Sequence, residues 1–100
     1  MEQDTMTVET FDDPFEALGV AKAEAANMTF RADVLLAIRE QVRSWGLSQE
    51  KAAARLGVTR PRLSDLLRGQ VDKFSLDALV NIATAAGLRL TIEVGGDRAA

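Results

Sequence analysis

The stretch Gln49-Glu50-Lys51-Ala52-Ala53-Ala54-Arg55-Leu56-Gly57-Val58-Thr59-Arg60-Pro61-Arg62-Leu63-Ser64-Asp65-Leu66-Leu67-Arg68 decides the fold of this chain. Counted from Gln49, a small residue stands fifth (Ala53), a glycine ninth (Gly57), and aliphatics fifteenth and eighteenth (Leu63 and Leu66). That is the spacing a helix, a tight turn and a second helix require. Ala53 falls where the two helices approach most closely, so a larger side chain would push them apart. Gly57 suits the left-handed residue that ends the first helix, a conformation costing any residue with a Cβ about 1 kcal/mol or more. Leu63 and Leu66 share one face of the second helix and turn it toward the core. The other face of residues 60–68 is left free to enter a DNA groove.

Composition sets the frame around this motif. One hundred residues suit a single domain, and 47% hydrophobic content, 27% charged residues and 2 prolines describe a globular chain rather than a disordered one. No apolar run approaches the roughly 18–20 residues that span a bilayer, and the acidic N-terminus is unlike a signal peptide, so a cytoplasmic protein with no membrane association is expected. With neither cysteine nor histidine, the chain has no disulfide, no thiolate metal site and none of the commonest general bases. No metal, cofactor or catalytic residue is expected. A hydrolase would need paired carboxylates, and Asp12-Asp13 is better explained by helix initiation.

A net charge of −3 is unusual for a nucleic-acid partner until it is divided along the chain. Residues 1–27 hold seven acids and one base, a net of −6, whereas residues 31–73 hold nine bases and five acids, a net of +4. Phosphate attraction depends on local charge, so the acidic total does not exclude DNA. It does point to modest affinity of a monomer for arbitrary DNA, and so to dimerisation.

The remaining elements follow from caps and periodicity. Residues 1–12 lack helical periodicity and read as a flexible acidic arm. Asp13-Pro14 opens a short helix through Phe15 and Leu18 that Gly19 is placed to close. The Ala-rich segment 20–27 favours helix, and the sequence leaves open whether it joins the next one. From Phe30 to Trp45, Leu35, Ile38, Val42 and Trp45 recur at helical spacing up to Gly46. Ser48 caps a helix over Gln49–Leu56 and Thr59 one over Arg60–Arg68, with Pro61 in its first turn and Gly69 after it. Ser75 caps a further helix carrying Leu76, Leu79, Val80, Ile82 and Ala83, which Gly87 stops.

In Leu88-Arg89-Leu90-Thr91-Ile92-Glu93-Val94 the period changes to strict alternation, which predicts a half-buried strand over 88–94. Residues 95–100 read as a disordered tail, leaving 13–94 as the folded domain. A lone strand leaves its peptide groups unpaired. It could pair with its symmetry mate in a homodimer, with residues 5–11 of its own chain, or with a sheet of another protein. Pairing between protomers is favoured because such motifs commonly read two half-sites.

Gly46-Leu47-Ser48-Gln49 through Leu66-Leu67-Arg68-Gly69 resembles the Cro/CI-type helix-turn-helix of the XRE family of regulators. More narrowly, residues 14–94 resemble its compact, HigA-like antitoxin branch. The resemblance rests on Phe15-Glu16-Ala17-Leu18-Gly19, Leu47-Ser48-Gln49-Glu50-Lys51-Ala52-Ala53, Pro61 through Gly69, Phe74-Ser75-Leu76-Asp77-Ala78-Leu79 and the closing segment 87–94. It implies an all-α, lambda-repressor-like helical bundle with a helix-turn-helix and one C-terminal β-strand used in dimerisation. It also implies a repressor of palindromic double-stranded operator DNA that neutralises a small basic RelE/HigB-like toxin and represses its own operon.

Position by position, the resemblance makes Gln49 a phosphate contact, its amide and the helix N-terminus addressing one phosphate. Thr59 and Arg60 begin the recognition helix. Arg60, Arg62 and Asp65 occupy or adjoin positions that reach base edges, arginine suiting guanine and aspartate accepting from cytosine. Pro61 replaces a residue that is often polar in the family, and either meets a thymine methyl or stiffens the helix start. Ser64 belongs to the same DNA-binding set, and Arg68 and Lys73 lie late enough to meet the backbone.

Plainer readings stand beside these. Arg60 and Arg62 are also what any solvated helix face carries, and Asp65 could pair locally with Arg62 or Arg68. Trp45 reads as packing, Arg39 and Arg43 as surface. The acidic arm reads equally as a solubilising tail or as a cover for a basic partner. Two other functions compete with the antitoxin: a stand-alone XRE or phage-type regulator without a toxin, and an interaction module that no longer binds DNA.

Overall fold

A computed structural model describes the backbone of residues 14–96 and the side chains of residues 17–96. The expected arm over residues 1–12, the Asp13 cap, the pairing segment 5–11 and the end of the tail lie outside the described residues. Four α-helices and one 3₁₀ turn make up the described chain: α1 Pro14–Trp45, α2 Gln49–Leu56, α3 Arg60–Leu67, the turn Val71–Lys73 and α4 Leu76–Ala85.

Three of the four helices begin as their caps dictate. Ser48, Thr59 and Ser75 each sit in extended backbone, and each side-chain oxygen accepts from the amide three residues on. Gly57 takes the left-handed conformation at φ 75° and ends α2, its amide donating to the carbonyls of Ala53 and Ala54. α3 closes at Leu67, one residue earlier than expected, with Arg68 as its C-cap. The loop that contains Asp72 and Lys73 is wound into the 3₁₀ turn.

Two expectations are overturned. Gly19 does not close a helix: α1 is continuous for 32 residues, through the Ala-rich segment and on to Trp45. The positive-φ glycines are Gly46, Gly57, Gly69 and Gly87, and Gly19 is not among them. A glycine inside a helix costs only about 1 kcal/mol, which neighbours of high helix propensity offset. At about 1.5 Å per residue such a helix reaches roughly 48 Å, close to the 51 Å long dimension of the molecule.

The second correction concerns the C-terminal strand. Residues 88–96 form no regular element, and no strand exists among the described residues. Alternation can prescribe which side chains would share a face, but a strand exists only through a ladder with a neighbour. No described segment supplies that neighbour.

The core gathers one stripe from each helix. Leu35, Ile38 and Val42 of α1 pack with Ala52, Ala53 and Leu56 of α2, Leu63 and Leu66 of α3, Phe74, and Leu79, Ile82, Ala83 and Ala86 around α4. Two polar ties hold α1 in register. Arg31 Nη1 donates to the Phe74 carbonyl at 3.2 Å, and Gln41 Nε2 to the Ala86 carbonyl at 3.1 Å. Burial begins at Arg31, and every residue from 17 to 30 is exposed, so the first half of α1 extends beyond the core that its second half builds.

Candidate nucleic-acid interface

α2 and α3 are joined by a turn that leaves their free ends accessible. At the start of α2, Ser48 Oγ accepts from the Lys51 amide at 3.2 Å, and its carbonyl accepts from the Ala52 amide at 2.9 Å. The amides of Gln49 and Glu50, one and two residues into the helix, have no intrahelical acceptor and no partner among the described residues, so they can address an anion. The Gln49 side chain is exposed beside them. Arg43, in the last turn of α1, adds a cation close by, for it lines with Leu47 and Gln49 an open cleft of about 430 Å³. From sequence Arg43 reads as surface, because nothing in its spacing ties the end of α1 to the start of α2.

α3 buries Leu63 and Leu66 completely. With successive side chains about 100° apart, the opposite face carries Pro61, Ser64, Asp65 and Arg68, with Arg60 at one edge and Arg62 at the other. Arg60 and Pro61 are exposed, and Ser64 is half-buried. Thr59 Oγ1 accepts from the Arg62 amide at 3.2 Å, so its oxygen caps α3 while the hydroxyl proton can still be donated outward.

The three arginines of this helix therefore differ in kind. Arg60 is exposed, with no hydrogen bond or ion pair to its guanidinium among the described residues. Arg62 turns back into the fold: its guanidinium lies 4.2 Å from the Phe74 ring centroid and donates to the Lys73 carbonyl at 3.1 Å. Arg68 donates to Asp65 Oδ1 at 3.3 Å, and Lys73 Nζ lies 3.6 Å from the same oxygen. Of the two local pairings open to Asp65, the one with Arg68 forms, joined by Lys73. Arg39, expected on the surface, is partly buried, and its Nε is enclosed without a partner. Trp45 packs at the edge of the core, with the Arg55 guanidinium 4.0 Å from its ring centroid.

The family model for a helix-turn-helix domain matches residues 15–95. This chain belongs to that helix-turn-helix domain family. Among solved structures, the helix-turn-helix chain is similar to a candidate XRE family transcriptional regulator, with a TM-score of 0.69 and 25% sequence identity over 75% of this chain and 84% of that one. No curated protein matches it. The match to residues 15–95 takes in both the exposed half of α1 and the irregular segment after α4, so the family pattern extends well beyond α2 and α3. No helix among the described residues is long and apolar enough to cross a membrane, and no described cluster of acidic side chains could hold a metal ion.

Proposed function

We propose that this helix-turn-helix domain is a sequence-specific DNA-binding transcriptional regulator, a repressor that acts by occupying its operator. The observation that carries the reading is the exposed N-terminal face of α3, where Arg60 stands uncommitted beside Pro61 and Ser64 on a helix whose other face is locked into the core. In this reading α3 enters the major groove and Arg60 makes a bidentate contact to guanine. Gln49 with the free amides of α2 grips one phosphate, Thr59 donates its hydroxyl proton nearby, and Arg68 and Lys73 face the backbone. Two copies would place two α3 helices in successive grooves about 34 Å apart.

The test is Arg60→Ala, measured by gel shift on a site enriched from randomised duplex. A lost bidentate contact is worth roughly 1–3 kcal/mol, so affinity is expected to drop about tenfold to a hundredfold. Unchanged affinity would sink the assignment. Arg62 is the wrong choice for this test, because its guanidinium is tied to Phe74 and Lys73.

Within this reading, the finer role is that of an antitoxin which autoregulates its operon and neutralises a small basic RelE/HigB-like toxin. Supporting it are the resemblance of residues 14–94 to that branch, the −6 net charge of residues 1–27 and the exposed Leu18 and Phe30 along the free half of α1. Co-expression with the adjacent open reading frame is expected to yield a stable complex with a small basic protein that arrests growth when expressed alone. A harmless neighbour that does not bind would favour the stand-alone regulator. That second reading has support of its own, since the similar solved structure is described as a transcriptional regulator.

A further inference from the structure

The face assigned to DNA also carries a carboxylate. Asp65 Oδ1 lies 3.3 Å from Arg68 Nη2 and 3.6 Å from Lys73 Nζ. Three separate pieces of the chain bring these groups together: the outward face of α3, its C-cap, and the 3₁₀ turn, whose Lys73 carbonyl is held by Arg62. The Arg68 and Lys73 side chains are 63% and 54% exposed, whereas that of Asp65 is 22% exposed. Two reachable cations thus share one more enclosed anion, and the cluster presents a net charge of +1 where the two cations alone would present +2.

We infer that Asp65 is a specificity-determining residue: its carboxylate restrains Arg68 and Lys73 from indiscriminate phosphate binding, and it does not act as a reader of a base. The inference rests on the DNA-binding reading above. Attraction to arbitrary DNA is almost wholly electrostatic, a matter of how many phosphates the protein neutralises. For Arg68 or Lys73 to close on a phosphate, each must leave Asp65 and strand a carboxylate facing the duplex. A complex held by phosphate alone feels that penalty fully. At a matched site, Arg60 and the start of α2 fix where α3 lies. Only phosphates that then fall beside Arg68 and Lys73 could use charge released from Asp65, so the carboxylate lowers non-specific affinity more than specific affinity.

The experiment compares the wild type with Asp65→Asn on two probes, a random-sequence duplex and the site enriched from randomised duplex, by fluorescence anisotropy over a salt series. One uncovered charge is expected to steepen the slope of log affinity against log salt on the random duplex by about 0.9, a gain of roughly eightfold at 0.1 M salt. Affinity for the enriched site is expected to rise less, so the ratio of specific to non-specific binding falls. Asp65→Glu keeps the charge and is expected to keep the wild-type slope. Adding Lys73→Gln to Asp65→Asn restores the net charge and is expected to restore the slope. Asp65→Ser gives the same readout should the asparagine variant lose helicity. An unchanged slope in the neutral variants overturns the inference, as does a loss of affinity confined to the enriched site, which would make Asp65 a base reader. Wild-type protein that binds neither duplex overturns the DNA-binding reading itself, and the inference with it.

Discussion

Arg62 shows how a residue type can be legible while its task is not. Its position early in α3 and its charge made it a candidate for base contact, and nothing local set it apart from Arg60. What separates them is Phe74, twelve residues later in the sequence, whose fully buried ring is brought under the Arg62 guanidinium by the 3₁₀ turn. A partly exposed cation–π contact contributes about 0.5–1 kcal/mol and a hydrogen bond to a carbonyl about 1 kcal/mol. Arg62→Ala is therefore expected to destabilise the fold by roughly 1–2 kcal/mol, lowering the melting temperature by several degrees in a thermal scan. A melting temperature equal to that of the wild type would return Arg62 to the set of free DNA contacts. Gly57 is the opposite case. Its left-handed conformation at φ 75° was legible because only the backbone is involved, and a Cβ there would meet nothing within 4 Å.

At the scale of elements, sequence read caps well and continuity poorly. Ser48, Thr59 and Ser75 act on amides three residues away, so the starts of α2, α3 and α4 were local problems. Gly19 was not, because a glycine ends a helix only when its backbone turns left-handed, and here it does not. The segment 88–94 forms no strand among the described residues for a related reason. Its alternation is real, with Ile92 and Val94 now 84% and 90% exposed, but a ladder partner is not written into one segment. If that partner is the second copy of a homodimer, the amides of residues 88–94 exchange slowly at high protein concentration and rapidly on dilution. Ile92→Asp is then expected to shift sedimentation from dimer to monomer without lowering the helicity of the protomer. A dimer that persists with Asp at that position would place the contact elsewhere.

For the molecule as a whole, the division of charge is the property that composition concealed. The segment with a net charge of +4 includes the interface of α2, α3 and the 3₁₀ turn, and the segment with −6 includes most of the half of α1 that extends past the core. The helix-turn-helix, its caps, its turn glycine and its core aliphatics are legible in the sequence, because each depends on neighbours within a turn or two of helix. Which cations are committed is set instead by packing. Arg60 has no partner among the described residues, Arg62 is tied to Phe74 and Lys73, and Asp65 gathers Arg68 and Lys73. The tertiary structure also decided that α1 is one helix and that residues 88–96 find no strand to join among the described residues. A side chain's type and a segment's period are local, whereas its partners are assigned by the packing that brings distant parts of the chain together.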